Sequence, residues 1–327
     1  MMRLLPYLGL VAGLLLLTVL LVWQGLTAVI ELLLGSGWVL LLLPLTFLPY
    51  FIPTTESWRM LFLGGHKPPF SISLLAIFLG RSVNSLLPVA TIGGEIVKAR
   101  ILILHGSNIN DSTASVMVDK AAQVVAVIIW GLVGIGLLAY LSLDDALVRS
   151  ALAGFAILAL GTVGFMLVQR AGMFSLLAKI GSRLIKLESW DDIHADANAI
   201  DKIVLDVYRN HRRFIAACLL KTLGLALQTL EVWLACYLLG FPVSIIEALM
   251  LKSLTSCLSD VAFLVPNGYG IQEGAYILLG GLLGMSADMA LAVSLATRIR
   301  ELFIDLPGLL YWQLFESRLW IKKRSLA

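Results

Sequence analysis

Two short stretches put polar and helix-breaking residues where the chain is otherwise apolar: "SLLPVATIGGEIVKAR" at 85–100 and "AFLVPNGYGIQEGAYILL" at 262–279. In each, a glutamate follows a proline by seven positions (Pro88 to Glu95, Pro266 to Glu273), with Gly93, Gly94, Gly268 and Gly270 between. Prolines and glycines interrupt a helix and release backbone N–H and C=O groups. At membrane depth, irregular backbone is tolerated only where protein or a water-filled cavity satisfies it. An ionisable side chain inside an apolar span is costly and marks function by default.

More such side chains surround the two stretches. Arg81 and Asn84 lie three apart, on one helix face. Lys98 follows Glu95 by three positions, and Asp119 and Lys120 open the next apolar segment. Asp260 and Asn267 flank Pro266, and Gln272 adjoins Glu273. Arg298 stands roughly 18 Å into the last apolar segment at 1.5 Å per residue, on one face with Glu301 and Asp305 and beside Arg300. The chemistry this set suits is recognition of a lipid headgroup in a polar cavity. A guanidinium donates two parallel hydrogen bonds to phosphate or carboxylate. Glu95 and Glu273, if buried, could also take up protons. The competing reading is mutual neutralisation between helices for Arg298 and Glu301, and anchoring at the inner membrane surface for Lys98 and Arg100.

The sequence offers no catalytic constellation. There is no Ser-His pairing and no H-E-x-x-H, the four histidines are scattered, and no metal or cofactor is expected. Cys218, Cys236 and Cys257 lie in apolar segments without paired spacing and read as packing. No P-loop signature appears, and a net charge of +3 is too small to argue for nucleic acid.

The elements that must hold these residues follow from hydropathy. The chain has 327 residues, 59% hydrophobic and 14% charged, with a mean hydropathy of +0.93. Soluble domains carry about 25% charged residues. Spans of about 20 apolar residues are predicted at 5–23, 37–56, 116–140, 147–169, 214–239 and 287–312. The first reads as a retained span rather than a cleaved signal, because no small-residue cleavage site follows it. Regions 72–104 and 248–284, which hold the two motifs, read as broken re-entrant hairpins. "TTESW" at 54–58 echoes "TLEVW" at 229–233. The fold class is therefore an all-α polytopic membrane protein, with about six full spans and two broken helical hairpins in inverted repeats. Residues 1–327 form one integral membrane domain. Repeat one covers about 1–140 and repeat two about 147–315. Lys and Arg concentrate on the side of the N-terminus, which places both termini and an amphipathic segment at 170–213 in the cytoplasm. Trp23, Trp38, Trp58, Trp312 and Trp320 read as interface anchors.

"RSVNSLLPVATIGGEIVKARIL", "VMVDKAAQVV", "LVPNGYGIQEGAYILLGGLLG" and "RIRELFIDLPGLLYW" together resemble the flippase-like superfamily that includes the membrane region of lysylphosphatidylglycerol synthase. The form "SVNSLLPVA-x-x-GGE" is most similar to its hopanoid-biosynthesis-associated membrane proteins. The resemblance covers nearly the whole chain. It implies a bacterial inner-membrane protein that translocates or handles lipid, with Pro88, Gly93, Gly94, Glu95, Pro266, Gly268, Gly270 and Glu273 as signature positions. The chain reads Asn267-Gly268-Tyr269-Gly270 where the family often has a Gly-Gly pair. No aminoacyl-transferase domain is encoded, so that activity does not carry over. The leading expectation is a lipid translocator, not an enzyme, with Arg81, Asn84, Glu95, Lys98, Asn267, Gln272, Glu273, Arg298, Arg300 and Glu301 contacting substrate. The alternatives are a non-transporting partner of lipid-biosynthesis enzymes and an intramembrane lipid-modifying enzyme. Expected partners are a membrane lipid, such enzymes and a second copy of the chain.

Overall fold

The computed structural model describes residues 31, 34–62, 67–87, 89, 92–141, 145–173, 175–176, 190–261 and 268–324. The predicted span 5–23, and the positions Trp23, Pro88, Pro266 and Asn267, lie outside them. Among the described residues the regular secondary structure is all helical, with no strand. In chain order the helices are α1 (Leu34–Met60), α2 (Phe70–Leu86), α3 (Gly93–Leu104), α4 (Ile109–Tyr140), α5 (Asp145–Arg170), α6 (Trp190–Arg209), α7 (His211–Leu227), α8 (Thr229–Leu238), α9 (Ile245–Val261), α10 (Ile271–Leu282), α11 (Ala287–Arg300) and α12 (Leu306–Arg324).

Local chemistry explains several boundaries. Pro44 and Pro49 sit in first turns, where a missing N–H costs least, and α1 tightens to 3₁₀ geometry at Gly37–Leu42 and Leu48–Tyr50. The Asn108 side chain caps α4 by accepting from the Asn110 and Asp111 N–H groups at 2.8 and 3.4 Å. Ser286 caps α11 through the Met289 N–H at 3.2 Å. Between α11 and α12 the chain makes a π-helical turn, Glu301–Asp305.

Among the described residues, four helices are long and apolar enough to cross a membrane: Leu34–Met60, Ile109–Tyr140, Leu152–Arg170 and His211–Leu238. They match four of the predicted spans with shifted ends. The last one, 287–312, is instead two helices joined at the π turn, because Arg298, Arg300, Glu301 and Asp305 fall within it. Large apolar side chains such as Leu160, Val163, Leu167, Leu219 and Leu223 point outward, as a lipid-facing surface requires.

Helices approach closely where small residues allow it. A Cβ on Gly94 would lie 2.1 Å from the Gly80 carbonyl, so α2 and α3 pack backbone to backbone. The same kind of contact joins α4 to α9 (Gly134 against Ser253), α12 to α2 (Gly308 against Ser82) and α7 to α1 (Gly224 against Thr54). α10 packs on α9 and α11, and α8 on α1 and α9. Cys218, Cys236 and Cys257 are free and buried in this packing.

One sequence expectation changes here. Trp58 is not an interface anchor: it is fully buried beneath Lys98, whose Nζ lies 5.2 Å from its ring. The amphipathic helix α6 turns Ala197, Ile200, Val204, Val207 and Tyr208 onto α4 and α5, so its apolar face meets protein. The Tyr208 hydroxyl bonds the Gln169 side chain, and burial pushes the phenol above its ordinary range. α6 and α7 are separate helices: the chain breaks at Asn210, whose side chain caps α7 at the Arg213 N–H, 3.3 Å away.

Candidate functional site, an ion-pair network between helices

The motif residues converge on a buried set of charges. In the first hairpin, Lys98 on α3 binds two carboxylates, Glu95 at 2.5 Å and Asp119 on α4 at 2.8 Å. Asp119 also holds Lys221 of α7 at 2.8 Å, with both side chains 3% exposed. Lys120 stands apart, 3.8 Å from Glu95 and 35% exposed. Asn84 uses its side-chain oxygen to accept from the Gly94 N–H at 2.7 Å, which closes the turn between α2 and α3.

The second hairpin is built around Glu273, which is fully buried. One carboxylate oxygen accepts from the Gly270 N–H at 2.7 Å and so caps α10. The other holds Arg298 of α11 at 2.6 Å and accepts from Ser294 at 3.3 Å. Arg298 also pairs with Glu301 at 3.0 Å and lies 4.4 Å over the Tyr269 ring. Gln272 donates to Ser294 and Thr297 at 3.1 and 3.4 Å. Gly268 and Gly270 take positive φ values of 60° and 79°, where a side chain would be strained.

A third group joins α2, α8 and the π turn. Arg81 on α2 binds Asp305 of the π turn at 3.1 Å, and Arg300 binds Glu231 of α8 at 2.6 Å. Both guanidiniums lie over the Phe47 ring, at 4.5 and 4.4 Å. Lys252 and Asp260 on α9 are within electrostatic reach of this group and of each other. Arg100 bonds Glu316 at an exposed site away from the network.

The sequence-selected Arg81, Glu95, Lys98, Glu273, Arg298, Arg300 and Glu301 thus meet in paired form, while Asn84 and Gln272 make structural hydrogen bonds. Lys221 and Lys252 are absent from the sequence-based set, although a lone cation inside an apolar stretch is the signal used for the others. Glu231 stands there only as part of the repeated T-x-E-x-W. Desolvating so many charges is offset only where each meets a partner with good geometry. Breaking any one pair strands a charge in a low-dielectric interior.

An apolar exterior, several helices able to cross a bilayer and charges paired inside define a multi-pass helical membrane protein. The chain belongs to the family of the lysylphosphatidylglycerol synthase TM region, whose family model matches residues 10–308. No curated protein and no solved structure gives a match.

Proposed function

We propose that the chain moves a lipid between leaflets of the bacterial cytoplasmic membrane, without an ATPase or enzymatic step of its own. An anionic or hopanoid-related lipid is the proposed cargo. Membership of a membrane family tied to lipid by its name supports a lipid-related role.

The observation that carries the reading is a carboxylate–cation pair repeated in two matching helical blocks. α2 and α9 are both 17 residues long and displaced by 175 positions at either end. α3 and α10 are both 12 residues long and displaced by 178. The same displacement of 178 relates Glu95 to Glu273, the capping Asn108 to Ser286, and Lys120 to Arg298. Lys120 reaches toward Glu95 as Arg298 reaches toward Glu273. We read the blocks as repeats inverted across the membrane, the arrangement by which secondary transporters frame a central site with two broken helices. The Lys and Arg distribution supports opposite orientation of the blocks and cytoplasmic termini.

The test is reconstitution of purified protein into liposomes carrying lipids labelled on the headgroup. A membrane-impermeant quencher should reach inner-leaflet label only when the protein is present. Quenching that stops at the outer leaflet for every headgroup tried would overturn the translocator reading.

A further inference from the structure

The buried ion pairs differ in what they leave behind when two helices part. A charge left in the interior without its partner is costly, so a seam opens readily only where both sides separate as neutral groups. Arg81 binds Asp305 across α2 and the π turn at 3.1 Å, and Arg300 binds Glu231 across α11 and α8 at 2.6 Å. Among the described residues, neither guanidinium has a second carboxylate in ion-pair contact on its own helix. At the second hairpin Arg298 would keep Glu301, but Glu273 would leave with no cation on α10. Parting α4 from α7 would leave Lys221 alone, since Asp119 would keep Lys98.

The seam between α3 and α4 is different. Lys98 of α3 stands between Asp119 of α4, at 2.8 Å, and Glu95 of its own helix, at 2.5 Å. Asp119 gives one carboxylate oxygen to Lys98 and the other to Lys221 of α7, also at 2.8 Å. Drawn apart at this seam, α3 takes Glu95 with Lys98, and α4 keeps Asp119 with Lys221. Each side is then neutral, and each of the four charges still has a partner. Lys120 loses the least, because it is 3.8 Å from Glu95 and 35% exposed. Lys98 would also leave the Trp58 ring, 5.2 Å away, which carries no charge.

Residue types fit this division. An ammonium turns three donors about a flexible stem and exchanges acceptors easily, whereas a guanidinium binds through a rigid planar fork. The α3–α4 seam is bridged by lysine, and the second hairpin is closed by Arg298. Tyr276 and Thr297 stand there at the positions of Lys98 and Asp119, so Arg298 has no competitor for Glu273. α3 stays with α2 in any such movement. A Cβ on Gly94 would lie 2.1 Å from the Gly80 carbonyl, and the Gly94 N–H donates to Asn84 at 2.7 Å.

We propose that the protein opens at the α3–α4 seam, with Lys98 passing from Asp119 to Glu95, while the Glu273–Arg298 pair keeps the second hairpin shut. This opening rests on the translocation reading above and deepens it by naming the seam that moves. Glu95 is then a positioning residue: it receives Lys98 and so spares the interior an unpaired cation. Asp119 is the point at which the seam closes again, and Lys221 holds its charge while α3 is away.

The experiment follows a thiol placed beside the seam in the full chain in liposomes. Ser115 lies four positions before Asp119 on the same α4 face and is buried, so Ser115→Cys is a mild reporter. Cys218→Ala and Cys236→Ala remove two native thiols, and Cys257, at the α4–α9 contact, stays as the internal reference. Labelling of both thiols by N-ethylmaleimide is read by mass spectrometry. Lys98→Met removes the bridge yet leaves Glu95 beside Lys120 and Asp119 beside Lys221. It should speed labelling at position 115 about tenfold, the size of one charged hydrogen bond lost. Glu95→Gln removes the partner that Lys98 moves to, and should slow labelling several-fold below wild type. A role in packing alone would loosen the seam in both variants and speed both. Opposite signs at position 115 with unchanged Cys257 are the expected result. The same sign in both, no change in either, or Cys257 rising in step overturns the proposal. Should Lys98→Met fail to fold by its melting curve, Glu95→Gln decides alone: labelling as fast as wild type or faster overturns it. Lipid movement is measured in the same liposomes, where Glu95→Gln should be slow. If wild type moves no lipid, the translocation reading fails while the labelling still decides the seam. A slowly labelled Glu95→Gln that moves lipid at the full wild-type rate would overturn the link between this seam and transport.

Discussion

Arg298 is gripped from three directions, by Glu273 at 2.6 Å, Glu301 at 3.0 Å and the Tyr269 ring at 4.4 Å. Its role follows from what its removal or mispairing would cost. Glu273→Gln keeps the size and the cap on Gly270 but withdraws the charge facing a buried guanidinium. Leaving such a cation half paired costs about 3 kcal/mol. The expected result is a clearly lowered melting temperature in detergent, whereas Arg209→Ala at the exposed end of α6 should change stability by less than about 0.5 kcal/mol. Equal melting of the two variants would show that the clamp does not stabilise the fold. Phe47 invites a second measurement. It lies under both Arg81 and Arg300, and each desolvated cation–π contact contributes about 1–2 kcal/mol. Phe47→Leu should therefore destabilise more than Phe51→Leu, since among the described residues Phe51 makes ring contacts but no cation contact. The reverse order in thermal melts would remove the cation contribution.

The hairpins depend on how closely their helices approach. Gly94 meets the Gly80 carbonyl and the Asn84 amide, and its N–H donates to Asn84. A methyl group there would sit 2.1 Å from a backbone oxygen, a contact that cannot relax without moving α3. Gly94→Ala should cost about 2 kcal/mol or more and should displace Glu95 and Lys98 together. Gly136 in the middle of α4 has nothing within 4 Å of its would-be Cβ. Gly136→Ala should accordingly stabilise by roughly 0.5–1 kcal/mol, the helix propensity difference. Melting curves of the two variants check both signs, and a tolerated Gly94→Ala would mean that α2 and α3 separate more easily than their packing implies.

At the scale of the molecule, the orientation of the two blocks decides whether they can alternate. If the termini are cytoplasmic, as proposed, positions 170–213 should be reached from inside and position 144 from outside. In a chain whose buried cysteines are replaced, Asp144→Cys should react with an impermeant maleimide added to intact cells. Lys186→Cys should react only after permeabilisation. The opposite labelling would place the blocks in the other sense and remove the topological ground for inversion. The ion pairs bear on motion as well. The second block is sealed by Glu273–Arg298, whereas in the first Lys120 is held loosely at 3.8 Å. On the proposed inverted-repeat reading, this unequal grip would let one block move against the other.

Composition and local pattern made the helical, membrane-embedded class legible, along with most of the charges that pair inside it. Hydropathy, proline and glycine act within a few residues of themselves, and a charge inside an apolar stretch is conspicuous wherever it occurs. Partners were not legible. Lys98 finds Asp119 across 21 positions, Arg300 finds Glu231 across 69 and Arg81 reaches Asp305 across 224. Which cation meets which carboxylate is set by the register of one helix on another. That register depends on contacts such as Gly94 on Gly80 and Gly134 on Ser253, which no local pattern encodes. Tertiary packing likewise buried Trp58, turned the apolar face of α6 onto protein and opened a π turn inside the expected last span. It also decided that Arg298 is spent on two glutamates, while Lys120 at the equivalent place stands 3.8 Å from Glu95 and is 35% exposed.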